Sequence, residues 1–180
     1  MTAVLRPPRP AWTILEVGPG TGAITTAILE HLLPNDQLDI VEINGLFVER
    51  LRKRFEEDPR FRPPCSQVRL YHTAVEKFYP PYRFDCIISG LPLNNFHPER
   101  VREILGHFER LLQPNGFLIY FEYVGVRQLK KPFSSRAEKH RLYRIERITQ
   151  NFLKKHGARK QLVLLNLPPA FVYALQMGKK

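Results

Sequence analysis

Along this chain, short runs of β-branched and apolar residues alternate with longer stretches in which apolar side chains return every three or four positions. The short runs fall near residues 13–17, 38–42, 68–72, 84–89 and 116–121, and the helical patterns near 21–33, 45–57 and 98–112. Such alternation predicts strand-helix-strand units, hence a parallel sheet covered by helices on both faces. The punctuation agrees, because Pro34-Asn35, Asp58-Pro59 and Pro114-Asn115-Gly116 each stop a helix or open a turn. Residues 73–83, TAVEKFYPPYR, are too short and too rich in proline for a crossover helix and are expected to form a turn.

The last part of the chain reads differently. Residues 136–156 predict a basic helix with Leu142, Ile145, Ile148, Phe152 and Leu153 on its apolar face. After Gly157 come two strand-like runs, KQLVLLNL and AFVYALQM, separated only by Pro168-Pro169. So short a link holds no crossover, and the two strands are expected to run antiparallel. The reading is one α/β domain over residues 1–180, with a mostly parallel seven-stranded sheet that ends in an antiparallel pair.

Composition narrows the setting. A chain of 180 residues has the length of one domain. No apolar run approaches the ~18 residues of a spanning helix, and the opening MTAVLRPPRPAWT has no apolar stretch with a cleavage site behind it. Cys65 lies in a proline-rich loop and Cys86 in the apolar run DCIIS, which fits reduced thiols better than disulfides or a metal site. A cytoplasmic protein without a metal is expected.

The distribution of charge changes the picture more than its size. Of a formal net charge of +11, residues 127–160 supply +10, with twelve Lys or Arg against Glu138 and Glu146. An anionic surface, membrane or nucleic acid, is the natural partner of such a segment. A merely solvated helix face is the bland alternative.

The chemistry starts at ILEVGPGTGAIT, residues 14–25, a glycine-rich turn between a strand and a helix. Gly18-x-Gly20-x-x-Ala23 also satisfies the dinucleotide fingerprint, and Glu42, at the end of the second strand, suits a ribose diol in either case. Glu16, two residues before the first glycine, tips the balance: its carboxylate would attract a cationic methionine-type cofactor and repel a pyrophosphate. With the third glycine one residue further on and the antiparallel strands at the end, the chain resembles class I S-adenosylmethionine-dependent methyltransferases of Rossmann-like fold, whose first motif is E/D-x-G-x-G-x-G. The resemblance implies S-adenosyl-L-methionine as cofactor, with Glu16, Gly18, Gly20 and Gly22 along its methionine part and Glu42 on its ribose. It also implies Ala74, Val75 or Glu76 of HTAVEKF at the adenine, Ile43 and Asn44 beside the adenine edge, and Ser89 at the end of the fourth strand in the cofactor set.

Substrate choice is read after the fourth strand, where FDCIISGLPLNNF places Gly90-Leu91-Pro92-Leu93. Adenine and glutamine N-methyltransferases carry Asn or Asp, x, Pro and an aromatic there, and both the amide and the aromatic are missing. The string SGLPL, the ILEVGPGTG opening and Tyr123 beyond the fifth strand instead resemble bacterial phospholipid N-methyltransferases, which convert phosphatidylethanolamine towards phosphatidylcholine. That resemblance implies a lipid amine as acceptor and peripheral attachment to an anionic membrane through residues 127–160. Tyr123 would then stabilise the growing cation by cation–π attraction, His97 or Glu122 would relay the amine proton, and Asn94 or Asn95 would orient the headgroup. Those lipid enzymes carry an amphipathic N-terminal segment over the cofactor. Only about twelve residues precede the first strand here, so that segment is expected to be missing. Two alternatives stay open: an RNA adenine N-methyltransferase, with nucleic acid less favoured than membrane, and a noncatalytic cofactor-binding partner protein.

Overall fold

The computed structural model describes residues 2–61, 68–123, 135–163 and 170–178. Seven strands form one sheet: β1 (Thr13–Val17), β2 (Gln37–Glu42), β3 (Val68–His72), β4 (Phe84–Ser89), β5 (Leu112–Tyr123), β6 (Arg159–Val163) and β7 (Ala170–Gln176). Their spatial order is β3-β2-β1-β4-β5-β7-β6. The first five are mutually parallel, whereas β7 lies antiparallel between β5 and β6. The order reverses between β1 and β4, and a crevice at such a switch point is where open α/β sheets bind ligands.

Among the described residues four helices cover the sheet: α1 (Ala23–Leu29), α2 (Gly45–Glu57), α3 (Pro98–Leu111) and α4 (Arg136–Lys155). Strand alternation sends side chains to two separate cores. Ile14, Leu38, Ile40, Cys86 and Ile88 meet Ile28 of α1 and Leu51 of α2 on one face. Leu15, Val17, Val41, Ile87 and Leu118 meet Ile104 and Phe108 of α3 and Ile145 and Phe152 of α4 on the other. Cys86 is wholly buried and unpaired, and its thiol pKa is pushed up by burial; Cys65 lies outside the described residues.

The connection 73–83 has only a 3-10 turn, Val75–Lys77, as its proline content requires. Two elements depart from the sequence reading. The helix expected over 21–33 is regular only from Ala23 to Leu29. Beyond it, Leu32 bonds back to Leu29 at three-residue spacing, and the Leu33 N–H turns to the Asp36 carboxylate at 2.7 Å. Asp36 also accepts from the Trp12 N–H at 2.7 Å and from the Arg9 guanidinium at 2.8 and 2.5 Å, so this one buried carboxylate gathers the N-terminal segment onto the sheet. The fifth strand starts at Leu112 rather than 116, because Leu112 pairs with Phe84 across a register shift.

Helix starts follow local chemistry. The Asn44 side chain caps α2 by accepting from the Leu46 N–H at 3.0 Å. Ser135 caps α4 through the Glu138 N–H at 3.2 Å, with the serine and glutamate in capping-box spacing. Among the described residues no helix is long and apolar enough to cross a membrane.

Candidate cofactor and acceptor site

An open cavity of about 440 Å³ lies where β1, β2 and β4 end, at the switch point. Gly18, Glu42, Ile43, Ala74 and Val75 of the expected cofactor set line it, and so does Glu76. Its position, at the switch point beside the glycine turn, suits a small-molecule ligand.

Glu42 organises the floor. It is 6% exposed, and its carboxylate accepts from the Gly20 N–H at 3.2 Å and the Asn44 N–H at 2.8 Å. One side chain thus holds the glycine turn and the entry to α2 in register. Carboxylate oxygens have lone pairs beyond these two bonds, which leaves acceptor capacity for ribose hydroxyls.

The remaining residues of the expected set hold the cavity without lining it. Gly22 sits at φ 84° where α1 begins, and a side chain there would strike Leu51 at 2.8 Å and Phe61 at 3.0 Å. Its glycine is required by helix packing rather than by ligand approach. Gly20 spends its N–H on Glu42. Ser89 is buried and accepts from the Leu91 N–H at 3.3 Å, shaping the turn after β4. Glu16 is sealed beneath the glycine turn at 1% exposure. The polar neighbour of its carboxyl is the equally buried Thr25 hydroxyl of α1. Burial pushes the Glu16 pKa up to about 8; the Thr25 hydroxyl nearby offsets part of this and the Glu42 carboxylate adds to it.

The turn after β4 is packed more closely than its sequence suggests. A Cβ on Gly90 would stand 2.4 Å from the Gly18 carbonyl oxygen, and the Gly90 N–H donates to the Val17 carbonyl at 2.7 Å. The absent side chain therefore opens no space for an acceptor; it lets two backbone turns touch. Leu93, at the end of this turn, is in the core at 7% exposure and outside the cavity lining. The wall is formed instead by Leu91, Phe96 and Ile104.

Phe96 and Arg100 escaped the sequence reading. The Arg100 guanidinium stacks over the Phe96 ring at 4.8 Å and bonds Glu76 at 2.5 Å, and all three residues line the cavity. Burial alone would raise the Glu76 pKa, and the Arg100 pairing outweighs it and holds the carboxylate below its ordinary range. The available signal was Arg100 and Ile104, four residues apart on one face of the predicted helix, with Phe96 just ahead of its start.

Among the candidates for handling the acceptor, Asn94 lies in the 3-10 turn Leu93–Asn95 and outside the cavity lining. His97 occupies the N-cap position of α3 without capping it, and its exposed ring pairs with Glu99. Tyr123 ends β5 opposite Ala170 of β7. Among the described residues no cluster of metal-ligating side chains is present.

A methyltransferase-domain family profile matches residues 15–118, more than half of the chain, so the chain belongs to that family. Membership implies S-adenosyl-L-methionine as the cofactor, and the residues present fit it: the cavity at the strand ends is lined by Gly18 of the glycine turn and by the Glu42 carboxylate, which keeps acceptor capacity for ribose hydroxyls. The chain is 29% identical over 111 residues to an ornithine lipid N-methyltransferase of Singulisphaera acidiphila, covering 59% of this chain and 55% of that protein. It is 43% identical over 106 residues to ribosomal RNA small subunit methyltransferase A of Parasynechococcus marenigrum, covering 59% of this chain and 33% of the relative. The chain thus spans about half, or less, of these relatives' lengths. In fold it is similar to the N-methyltransferase NodS of Bradyrhizobium japonicum in complex with S-adenosyl-l-homocysteine, with a TM-score of 0.67 at 15% identity, over 94% of this chain and 80% of that one.

Proposed function

We propose that this chain is an S-adenosyl-L-methionine-dependent N-methyltransferase acting on the amine of a phospholipid headgroup, phosphatidylethanolamine towards phosphatidylcholine, at an anionic membrane surface. One contact carries the reading. Arg141 of the basic helix α4 donates to the Phe96 carbonyl at 2.5 Å, which fixes the start of that helix to the wall of the cavity. Arg136, Lys139, His140, Tyr143, Arg147 and Lys154 are exposed and share one face of α4. Tyr143, 58% exposed, lies among these cations. An aromatic ring among long cationic side chains is a pattern suited to a headgroup region. A membrane held by this face would bring headgroups close to the cavity.

Bound S-adenosyl-L-methionine supplies the methyl group. The chain's own residues bind, orient and shield. Glu42 and the glycine turn hold the cofactor, Leu91 and Phe96 exclude water, and Tyr123 offers its ring to the amine as positive charge builds. Asn94 orients the headgroup and His97 accepts the amine proton. Position 90 supports an alkylamine over a base, since an amide there would need the Gly18 and Gly90 turns to part. The likeness to an enzyme named for an ornithine lipid supports an amine carried on a lipid.

The relative at 43% identity favours a second reading, methylation of adenine in RNA. The decisive experiment offers labelled cofactor with phosphatidylethanolamine vesicles, ornithine lipid vesicles and unmodified ribosomal RNA in separate reactions. Label in either lipid is expected. Label in RNA alone overturns the lipid reading, and label in none favours the noncatalytic alternative.

A further inference from the structure

The proline-rich connection before β4 forms one wall of a second open hollow. Tyr79 to Arg83 line it from that side, and the last turns of α3 line it from the other. The cofactor cavity takes Arg100 and Ile104 from the first turns of α3, so the two sites lie at opposite ends of that helix. A buried histidine builds the hollow. His107 is 1% exposed; its Nε2 donates to the Phe78 carbonyl at 2.9 Å, and its Nδ1 accepts from the Arg110 guanidinium at 3.2 Å. The Tyr79 ring packs edge-on against the same imidazole, with centroids 5.0 Å apart. One side chain thus positions the backbone ahead of Tyr79, the Tyr79 ring and Arg110. Tyr82 is held as firmly: its hydroxyl donates to the wholly buried Asp39 at 2.7 Å, and the Arg69 guanidinium lies over its ring at 5.2 Å. Proline fixes φ at both positions between the two tyrosines.

The charge of the hollow is one-sided. Arg83 and Arg110 line it, and no acidic side chain does so among the described residues. Neither arginine makes a salt bridge among the described residues, and Arg110 keeps the rest of its donor fork beyond the bond to His107. Beside these cations the Tyr79 ring is 72% exposed. Guanidinium groups bind phosphate oxygens through paired N–H donors, and tyrosine rings stack on nucleobases. We propose that this hollow is a nucleotide-binding site, with the phosphate held between Arg83 and Arg110 and the base against Tyr79. A phosphate without a ring, as in a lipid headgroup, would leave the positioned tyrosines unused. A free nucleotide and one unit of a single strand offer the same chemistry, and the experiment distinguishes them.

Amide resonances of the isotope-labelled full chain are followed while UDP, uridine and inorganic phosphate are added in separate titrations. S-adenosylhomocysteine is present in excess, and a uracil base is used, to keep the probes out of the cofactor cavity. UDP should give saturable shifts at Tyr79, Tyr82 and Leu111, with a Kd lower by about fivefold or more than that of uridine or phosphate. Arg83→Gln combined with Arg110→Gln should weaken UDP by about tenfold and leave uridine unchanged. Tyr79→Ala should weaken UDP and uridine by about fivefold and leave phosphate unchanged. All three side chains are exposed, so melting temperatures should stay nearly constant. A pentauridylate that binds the same residues more tightly than UDP supports the site with a single strand as the source; equal or weaker binding supports it with the free nucleotide. Phosphate binding as tightly as UDP removes the ring from recognition and overturns the proposal. So does UDP that shifts only residues of α4 or of the cofactor cavity, or none.

Discussion

The carboxylate of Glu42 accepts from the N–H of Gly20 at 3.2 Å, so the end of the second strand holds the turn that follows the first. The same side chain is the expected ribose partner, which couples loop shape to ligand binding. Glu42→Ala removes both roles. Calorimetry with S-adenosyl-L-methionine should show at least a tenfold loss of affinity, about 1.4 kcal/mol. Unchanged binding would remove Glu42 from the site.

Gly90→Ala places a methyl group within 2.4 Å of the Gly18 carbonyl oxygen. Backbone cannot rotate away as a side chain can, so the two turns must separate. A loss of about 1–3 kcal/mol in denaturant unfolding is expected. Gly90→Asn should be at least as costly and should not create adenine methylation in RNA. A fully stable Gly90→Asn protein would show that the turns part easily and would reopen the base-methylating reading.

Charge reversal on α4 must respect which arginines are already engaged. Arg141 grips Glu138 at 2.7 and 2.8 Å and the Phe96 carbonyl, and Arg144 pairs with Glu99 of α3. Neither is simply solvent-facing, contrary to what helix position alone suggests. Reversing Arg136, Lys139, Arg147 and Lys154 to Glu should abolish sedimentation with anionic vesicles and leave the melting temperature nearly unchanged. Wild-type binding should weaken with salt. Arg141→Glu, by contrast, should lower the melting temperature. Retained vesicle binding after the fourfold reversal would place any membrane contact elsewhere.

The aromatic role given to Tyr123 is open to a paired substitution. Tyr123→Phe keeps the ring and should retain much of the methyl transfer into phosphatidylethanolamine, whereas Tyr123→Ala should lose the cation–π contribution of about 0.5–2 kcal/mol or more. Equal losses in the two variants would assign the work to the hydroxyl.

Two buried carboxyls should shape stability against pH in opposite directions. Burial alone would raise the Asp36 pKa, but bonds from Arg9, Trp12 and Leu33 outweigh it and leave it below the ordinary value of 3.8. Its contribution is therefore present above that value and lost as pH falls through the lower folded one. The Glu16 pKa is raised from 4.5 to about 8, so its contribution is present below 4.5 and lost as pH rises towards 8. Thermal melts should show Asp36→Asn most damaging near neutrality, with the penalty fading in acid. Glu16→Gln should gain on the unaltered protein between pH 5 and 8. A gain that does not change with pH would mean Glu16 is already ionised in the free protein.

The architecture was legible in the chain's own pattern. Strand and helix periodicities are local properties, and Pro168-Pro169 leaves no length for a crossover, so parallel strands closing in an antiparallel pair were readable from spacing alone. Glycine spacing and a carboxylate at the end of β2 likewise placed the floor of the cavity, because both belong to one strand-turn-helix unit. Which of these residues line the cavity depended on packing between segments far apart in the chain. Gly22 faces Leu51, Gly90 faces the Gly18 carbonyl and Leu93 faces the core, since each orientation is set by a chain segment distant in sequence. Phe96 and Arg100 reached the cavity through contacts with Arg141 and Glu76, 45 and 24 residues away along the chain. A motif fixes which chemistry is present; packing between remote segments fixes whether a carboxyl such as Glu16 stands in water, in a cavity or sealed beneath one.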